Sequence, residues 1–80
     1  MSKTTTASVL ERFPDDWHVI VELSRSNDDF RELCDHHAEC VTLLTRLRSE
    51  RHPDAERIAE YQLMAEELEL EIQDAVSEAG

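Results

Sequence analysis

Apolar residues recur along the middle of the chain with alternating spacings of three and four residues. The first row comprises Phe30, Leu33, His37, Cys40, Leu44 and Leu47. The second row comprises Ile58, Tyr61, Ala65, Leu68, Ile72 and Ala75. Residues with this spacing share one face of an α-helix, so each row predicts a helix that packs against another helix. The pattern therefore predicts an all-α protein built on two long amphipathic helices.

Proline and capping residues set the predicted boundaries of the first two helices. Pro14 suits the first position of a helix, so a short helix is expected over about residues 14–24. Ser26 or Asn27 can cap a second helix, expected over about residues 28–51. Residues 1–12 are polar and Thr-rich, and they are predicted to form a flexible N-terminal tail.

A third helix is expected over about residues 54–78, after the break at Pro53. The helical rows keep their register through this proline, and no Gly lies there, so one continuous kinked helix is an alternative to a turn. The turn is the favoured interpretation, because Arg51 and Asp54 interrupt the apolar row. Residues 13–78 would then form a single domain, with a short helix followed by a long antiparallel helical hairpin.

Apolar residues outside the two rows predict a dimer. Leu63, Met64 and Leu70 flank the second row, which is typical of a helix that contacts more than one neighbour. Two hairpins can bury such a flank by forming a four-helix bundle. The residues expected to form the helical interface are Phe30, Leu33, Leu44, Leu47, Ile58, Tyr61, Leu68 and Ile72.

The net charge of the protein narrows the classes of partner that it is expected to bind. The 80 residues include nineteen acidic and eight basic side chains, which give a formal charge of −11. Binding to nucleic acid or to an anionic membrane needs clustered Lys and Arg, so neither is expected. The run from Glu60 to Glu78 contains only acidic charged residues, and it is either a solvated face or a surface for a basic protein partner. No apolar run approaches the roughly 20 residues of a membrane span, and residues 1–12 lack the apolar segment of a secretory signal, so a cytoplasmic protein is expected.

Cys34, His37 and Cys40 are the candidate metal ligands. Thiolate and imidazole groups suit Zn or haem, and residues three apart share a helix face. Three ligands on one helix span about 9 Å, so a site would also need a second helix or chain. The ligand set would be Cys34 and His37 with either Cys40 or His52. The simpler interpretation is that both cysteines are small core residues and that no cofactor is bound. A buried His37 could alternatively make a dimer sensitive to pH.

Phe13 and Trp17 are the remaining candidates for partner binding. Exposed aromatic residues often anchor a partner. The alternative is that this pair folds the first helix back over the hairpin.

The chain resembles the small bacterial YdcH-like family. The resemblance rests on Phe13-Pro14 followed by Ile20, Leu23, Phe30, Leu33, Asp35 and His37, and it extends over residues 13–72. SlyX-like coiled-coil proteins are a weaker match. The resemblance implies a helical hairpin that dimerises, and it implies no activity. The chain differs from that family in its cysteines and in its acidic last helix, where relatives are commonly Lys-rich.

These observations favour a non-enzymatic protein–protein interaction module, such as a small adaptor, assembly factor or regulator that acts as a helical dimer. The alternative is a metal- or haem-binding protein that uses the Cys/His cluster. No pair of His and carboxylate residues in the sequence is accompanied by the features of a catalytic site.

Overall fold

The computed structural model describes residues 3–79, with side-chain packing from residue 7 onward. Within these residues the protein is all-α, with four helices and no strand. The helices are α1 (Lys3–Arg12), α2 (Trp17–Ser26), α3 (Asp28–Ser49) and α4 (Ala55–Ala79), and one 3₁₀ turn (Pro14–Asp16) precedes α2. The molecule measures 42 × 25 × 21 Å, and its long dimension matches α4, because 25 residues at 1.5 Å each extend about 37 Å.

Over residues 3–12 the N-terminal segment differs from its prediction as a flexible tail, and residues 1–2 of that prediction lie outside the described residues. Lys3–Arg12 forms a helix, and Val9 is completely buried in the core. The Thr-rich sequence has only a weak preference for helix, so packing against the rest of the molecule supplies the stabilisation that propensity does not. The backbone N–H of Phe13 donates to the Val9 carbonyl (2.9 Å), and Pro14 then starts the 3₁₀ turn.

The starts of the two long helices are capped by side chains. The side chain of Asn27 accepts a hydrogen bond from the backbone N–H of Phe30 (3.1 Å) and so caps the start of α3. Asn27 is one of the two residues proposed above as the cap. Asp54 accepts from the N–H groups of Glu56 (3.1 Å) and Arg57 (3.3 Å) at the start of α4. Residues 50–54 are not helical, so α3 and α4 are separate helices rather than one kinked helix.

The predicted row on α3 is largely buried. Five of its six members are buried, and Cys34 is buried in place of the half-buried Leu33. On α4 the buried residues are Ala65, Ile72 and Val76, of which Val76 lies outside the predicted row.

The core consists of two apolar clusters. The first joins all four helices through Val9, Ile20, Phe30, Cys34, Ile72 and Val76. The second joins α3 to α4 through Cys40, Leu44 and Ala65, with Ile58, Tyr61 and Leu68 packed against it. The start of α3 therefore packs near the end of α4, and the second half of α3 packs near the first half of α4.

Among the helices of residues 3–79, none is both long enough and apolar enough to cross a membrane.

Candidate functional site

Four polar side chains, joined by hydrogen bonds, cross the middle of the molecule and link α1, α3 and α4. His37 on α3 is almost completely buried, with 1% of its surface exposed. Its Nδ1 lies 3.0 Å from the hydroxyl of Ser8 on α1, and its Nε2 lies 2.9 Å from a carboxylate oxygen of Glu69 on α4. The other oxygen of Glu69 accepts from Nε of Arg12 (3.0 Å), at the end of α1. Two hydrogen-bonded links therefore attach α1 to the two long helices.

The ring of His37 satisfies both contacts in its neutral form. With the hydrogen on Nε2, the ring donates to Glu69 and accepts from the Ser8 hydroxyl. Among the side chains that the structure describes, no buried polar atom lacks a partner. The cost of burying the imidazole is thereby offset by two directional hydrogen bonds.

Glu69 has a pKa below its ordinary value of 4.5. Burial by itself would raise the pKa of this carboxyl group, because it disfavours the charged form. The hydrogen bonds from His37 and Arg12, together with the charge of Arg12, outweigh burial and lower the pKa. Glu69 is therefore ionised at neutral pH and attracts both of its donors.

Ser8, His37 and Glu69 have the residue types of a nucleophile, a base and an orienting carboxylate, but the setting differs from that of a hydrolase. Ser8 lies inside α1, where the nearby backbone N–H groups are used by the helix. No backbone donor beside Ser8 is thus free to stabilise an oxyanion. Together with Arg12, these residues join α1 to α3 and α4, and we call the set of Ser8, Arg12, His37 and Glu69 the polar clamp.

The candidate metal ligands do not come together. Cys34 belongs to the first apolar cluster, Cys40 belongs to the second, and both nitrogens of His37 have other partners. Within residues 3–79, no group of three or more His, Cys, Asp or Glu side chains is arranged to hold a metal ion. The predicted set is therefore not assembled, because its members are spread over about 9 Å of one helix.

Both cysteines are free thiols with raised pKa values. Burial raises the pKa of Cys34 to about 11, with a smaller contribution from the charge of Asp35. Burial and the charge of Glu39 raise the pKa of Cys40 in the same direction. A thiolate is the reactive form, so the folded protein suppresses the nucleophilicity of both residues.

The residues predicted to form a dimer interface pack within a single chain. Phe30 and Ile72 are in the first cluster, Leu44 is in the second, and Leu47 is also buried. The half-buried members, Leu33, Ile58, Tyr61 and Leu68, pack against the same clusters. Their apolar rows cover each other inside one molecule, so the buried members are not free to meet a second copy.

An open apolar groove of about 350 Å³ lies between α3 and α4. Leu43 contributes to its wall from α3, and Tyr61, Met64 and Leu68 contribute from α4. No residue of α1 or α2 lines it. The groove therefore belongs to the two long helices alone.

Trp17 is half exposed (51%), and its ring stacks on that of His18 with the ring centres 3.8 Å apart. Phe13, by contrast, packs against the first apolar cluster. Of these two aromatic residues, Trp17 is therefore exposed and Phe13 is half-buried.

The polar clamp contains three residues that the sequence interpretation missed. Ser8 and Arg12 fell in the segment predicted to be a tail. Glu69 carried a signal, because it continues a row with Ala65 and Ile72 and so lies on the core-facing side of α4. A carboxylate in such a row, opposite a histidine in the facing row, indicates a buried ion pair or hydrogen bond.

Comparison of the chain with models of protein families, with curated proteins and with solved structures gives no significant match.

Proposed function

We propose that the protein is a non-enzymatic protein–protein interaction module, in which α3 and α4 form an antiparallel helical hairpin that carries the binding surface. The observation that carries this proposal is the open apolar groove between the two helices. The sequence resemblance to the YdcH-like family, which implies a dimerising hairpin, is in keeping with it.

Exposed apolar side chains on α4 support an interaction role. Leu63 is 58% exposed, Met64 is 46% exposed and Leu70 is 63% exposed. Leu63 and Leu70 are one heptad apart and share a face, whereas Met64 lines the groove. The fold buries its core without these residues, so they are available for contact with another protein.

The dimer is a second part of the proposal. Two hairpins would meet through the outer face of α4, with Leu63 and Leu70 at the centre of a four-helix bundle. Acidic residues beside these leucines on the two copies repel each other, so burial of the leucines must outweigh that repulsion and added salt should strengthen the dimer. Light scattering at micromolar concentration should give twice the chain mass, and a Leu63→Gln/Leu70→Gln variant should give the mass of one chain. A monomer at all concentrations in the unaltered protein would rule out self-association.

A distance measurement tests the hairpin. Spin labels at the exposed residues Glu32 and Asp74 should lie close together, because Phe30 and Ile72 share one cluster. A continuous helix would place the same labels roughly 60 Å apart, since 42 residues separate them at 1.5 Å each. A separation near that value would overturn the hairpin and with it the groove.

The interaction role itself is tested by binding at the groove. Met64→Gln should weaken association with a helical ligand, and Val41→Gln, a change of an exposed apolar residue of α3 outside the groove lining, should not. If no helical ligand binds and the protein does not self-associate, the proposed function is wrong.

A further inference from the structure

We propose that the groove between α3 and α4 binds one basic amphipathic helix of another protein. This inference rests on the proposed interaction function and specifies the chemistry of the partner. Three features of the groove carry it: its length, its apolar lining and the charge around its rim.

The length of the groove fits two turns of a docked helix. Its lining on α3 extends from His36 to Leu43, and its lining on α4 extends from Tyr61 to Leu68. Each interval is seven residues, which is about 10 Å along a helix axis. A helix that places apolar residues at positions i, i+4 and i+7 presents a stripe of the same length.

The lining is apolar enough to bury such a stripe. Four of the seven lining residues are large apolar or aromatic side chains, namely Leu43, Tyr61, Met64 and Leu68, and Cys40 adds a thiol whose pKa is raised by burial. The polar residues of the lining are His36 and Glu39, both exposed on α3. A docked helix would therefore contact apolar groups at its centre and polar groups at its margin, as protein interfaces commonly do.

The rim of the groove is predominantly acidic. Exposed acidic residues lie within one helical turn of lining residues on both helices, namely Glu32, Glu39, Glu60, Glu67 and Glu71. Arg46 and Arg57 are the basic residues at equivalent positions, and both lie toward the turn that joins α3 to α4. The acidic excess favours Lys and Arg beside the apolar stripe of the partner, chiefly at the end away from that turn.

The same charge argues against a second copy in the groove. Each chain has a formal charge of −11, and all charged residues between Glu60 and Glu78 are acidic. Docking α4 of one copy into the groove of another would bring acidic rims together, and like charges in contact oppose association. A separate, basic protein is the occupant that the charge pattern accommodates.

The test uses synthetic helical peptides of about 18 residues, long enough to sustain helix. The basic probe carries Leu at positions i, i+4 and i+7 of each repeat, with Lys elsewhere. An acidic probe replaces each Lys by Glu, and a scrambled probe keeps the Lys content but spreads the Leu around the helix. Binding is measured by fluorescence anisotropy of labelled peptide at two salt concentrations.

The basic probe should bind at least tenfold more tightly than the acidic or the scrambled probe, and added salt should weaken its binding. Met64→Gln should reduce its affinity at least tenfold, and Val41→Gln, a matched change of an exposed apolar residue on α3 that lies outside both the groove lining and the proposed dimer contact, should leave it within twofold. Charge reversal by Glu67→Lys/Glu71→Lys should also weaken it. Circular dichroism of each variant confirms that helix content is retained, since the substituted side chains are exposed.

Other outcomes overturn the inference in distinguishable ways. Equal binding of the basic and scrambled probes would show that charge attraction alone holds the peptide and that the groove takes no part in binding. A dimer that is disrupted by Met64→Gln, together with no peptide binding, would show that a second copy occupies the groove. A dimer disrupted only by Leu63→Gln/Leu70→Gln, again without peptide binding, would refute the basic-helix inference and leave the proposed interaction function standing.

Discussion

Removing the hydroxyl of Ser8 tests whether α1 is held in place by the polar clamp. Ser8→Ala deletes the group that hydrogen-bonds to Nδ1 of His37 and leaves the ring otherwise untouched. Nδ1 then lacks a partner inside a side chain that is 1% exposed. An unpaired buried polar group costs about 1–3 kcal/mol.

Two effects reduce this cost. Alanine is the better helix former by up to about 0.7 kcal/mol, and Ser8 is only half-buried, so water can approach the vacated position. The net loss should therefore lie near the low end of the range, at about 1 kcal/mol. For a chain of this size, that loss corresponds to a decrease in Tm of about 4–8 °C.

The matched control is Ser26→Ala, which removes a serine hydroxyl from another helix. The Ser26 hydroxyl donates to the carbonyl of Glu22 within the same exposed turn (3.0 Å), so its loss should change stability by less than about 0.5 kcal/mol. Urea and thermal unfolding followed by far-ultraviolet circular dichroism suit the comparison, because they report on the helices directly.

Equal effects of Ser8→Ala and Ser26→Ala would refute the reasoning. They would show that the contact between Ser8 and His37 contributes no specific stability. The double variant Ser8→Ala/His37→Leu gives a further check, because Ser8→Ala should cost little once the ring that it contacts is gone.

Three further predictions concern charge, capping and thiol reactivity. Glu69 has a lowered pKa in the folded state, so its ionised form stabilises the fold above pH 4.5, and this stabilisation should be lost as the pH falls through the lowered value. Urea titrations at several acidic pH values should therefore show that Glu69→Gln is less stable at neutral pH and that its stability depends less on pH. A pH dependence of stability equal to that of the unaltered protein would contradict the assignment. Asn27→Ala should lower the free energy of unfolding by about 1 kcal/mol through loss of the cap, whereas Asn27→Ser should retain most of that stability, because a serine hydroxyl can also cap a helix. Equal losses of stability in the two variants would argue against capping. In a Cys40→Ser background, Cys34 should react with a thiol reagent at neutral pH at least about a hundredfold more slowly in the folded protein than in denaturant. A pKa of about 11 instead of 9.0 lowers the thiolate fraction by that factor, and burial also limits access of the reagent. Comparable rates would show that Cys34 is not buried.

Periodic rows predicted the parts of the fold that depend on one helix at a time. The row from Phe30 to Leu47 predicted the buried face of α3, and Asn27 was one of two residues proposed to cap it. Both features follow from local sequence, because a helical face and a cap are defined within a few turns. The all-α class follows from the same rows and is confirmed by the structure.

The parts that were missed depend on contacts between distant residues. Lys3–Arg12 lacks a strong helical pattern, and its helix is stabilised by contacts such as Val9 in the core and Ser8 on His37. Ser8 and His37 are 29 residues apart, and no periodicity within one helix relates them. The candidate interface residues pack within one chain, and whether any of them also contacts a second copy stays a prediction, since an apolar row does not indicate whether its partner helix lies in the same chain or in another.

The polar clamp also explains how a helix with little intrinsic stability can hold one orientation. Apolar packing through Val9 favours contact but is compatible with small shifts of α1 along α3 and α4. Hydrogen bonds from Ser8 to His37 and from Arg12 to Glu69 are directional, so together they favour one register and one rotation of α1. A leucine in place of His37 would bury more apolar surface without this selectivity. The clamp thereby favours one set of contacts of α1 on α3 and α4, and α1 does not line the groove between those two helices.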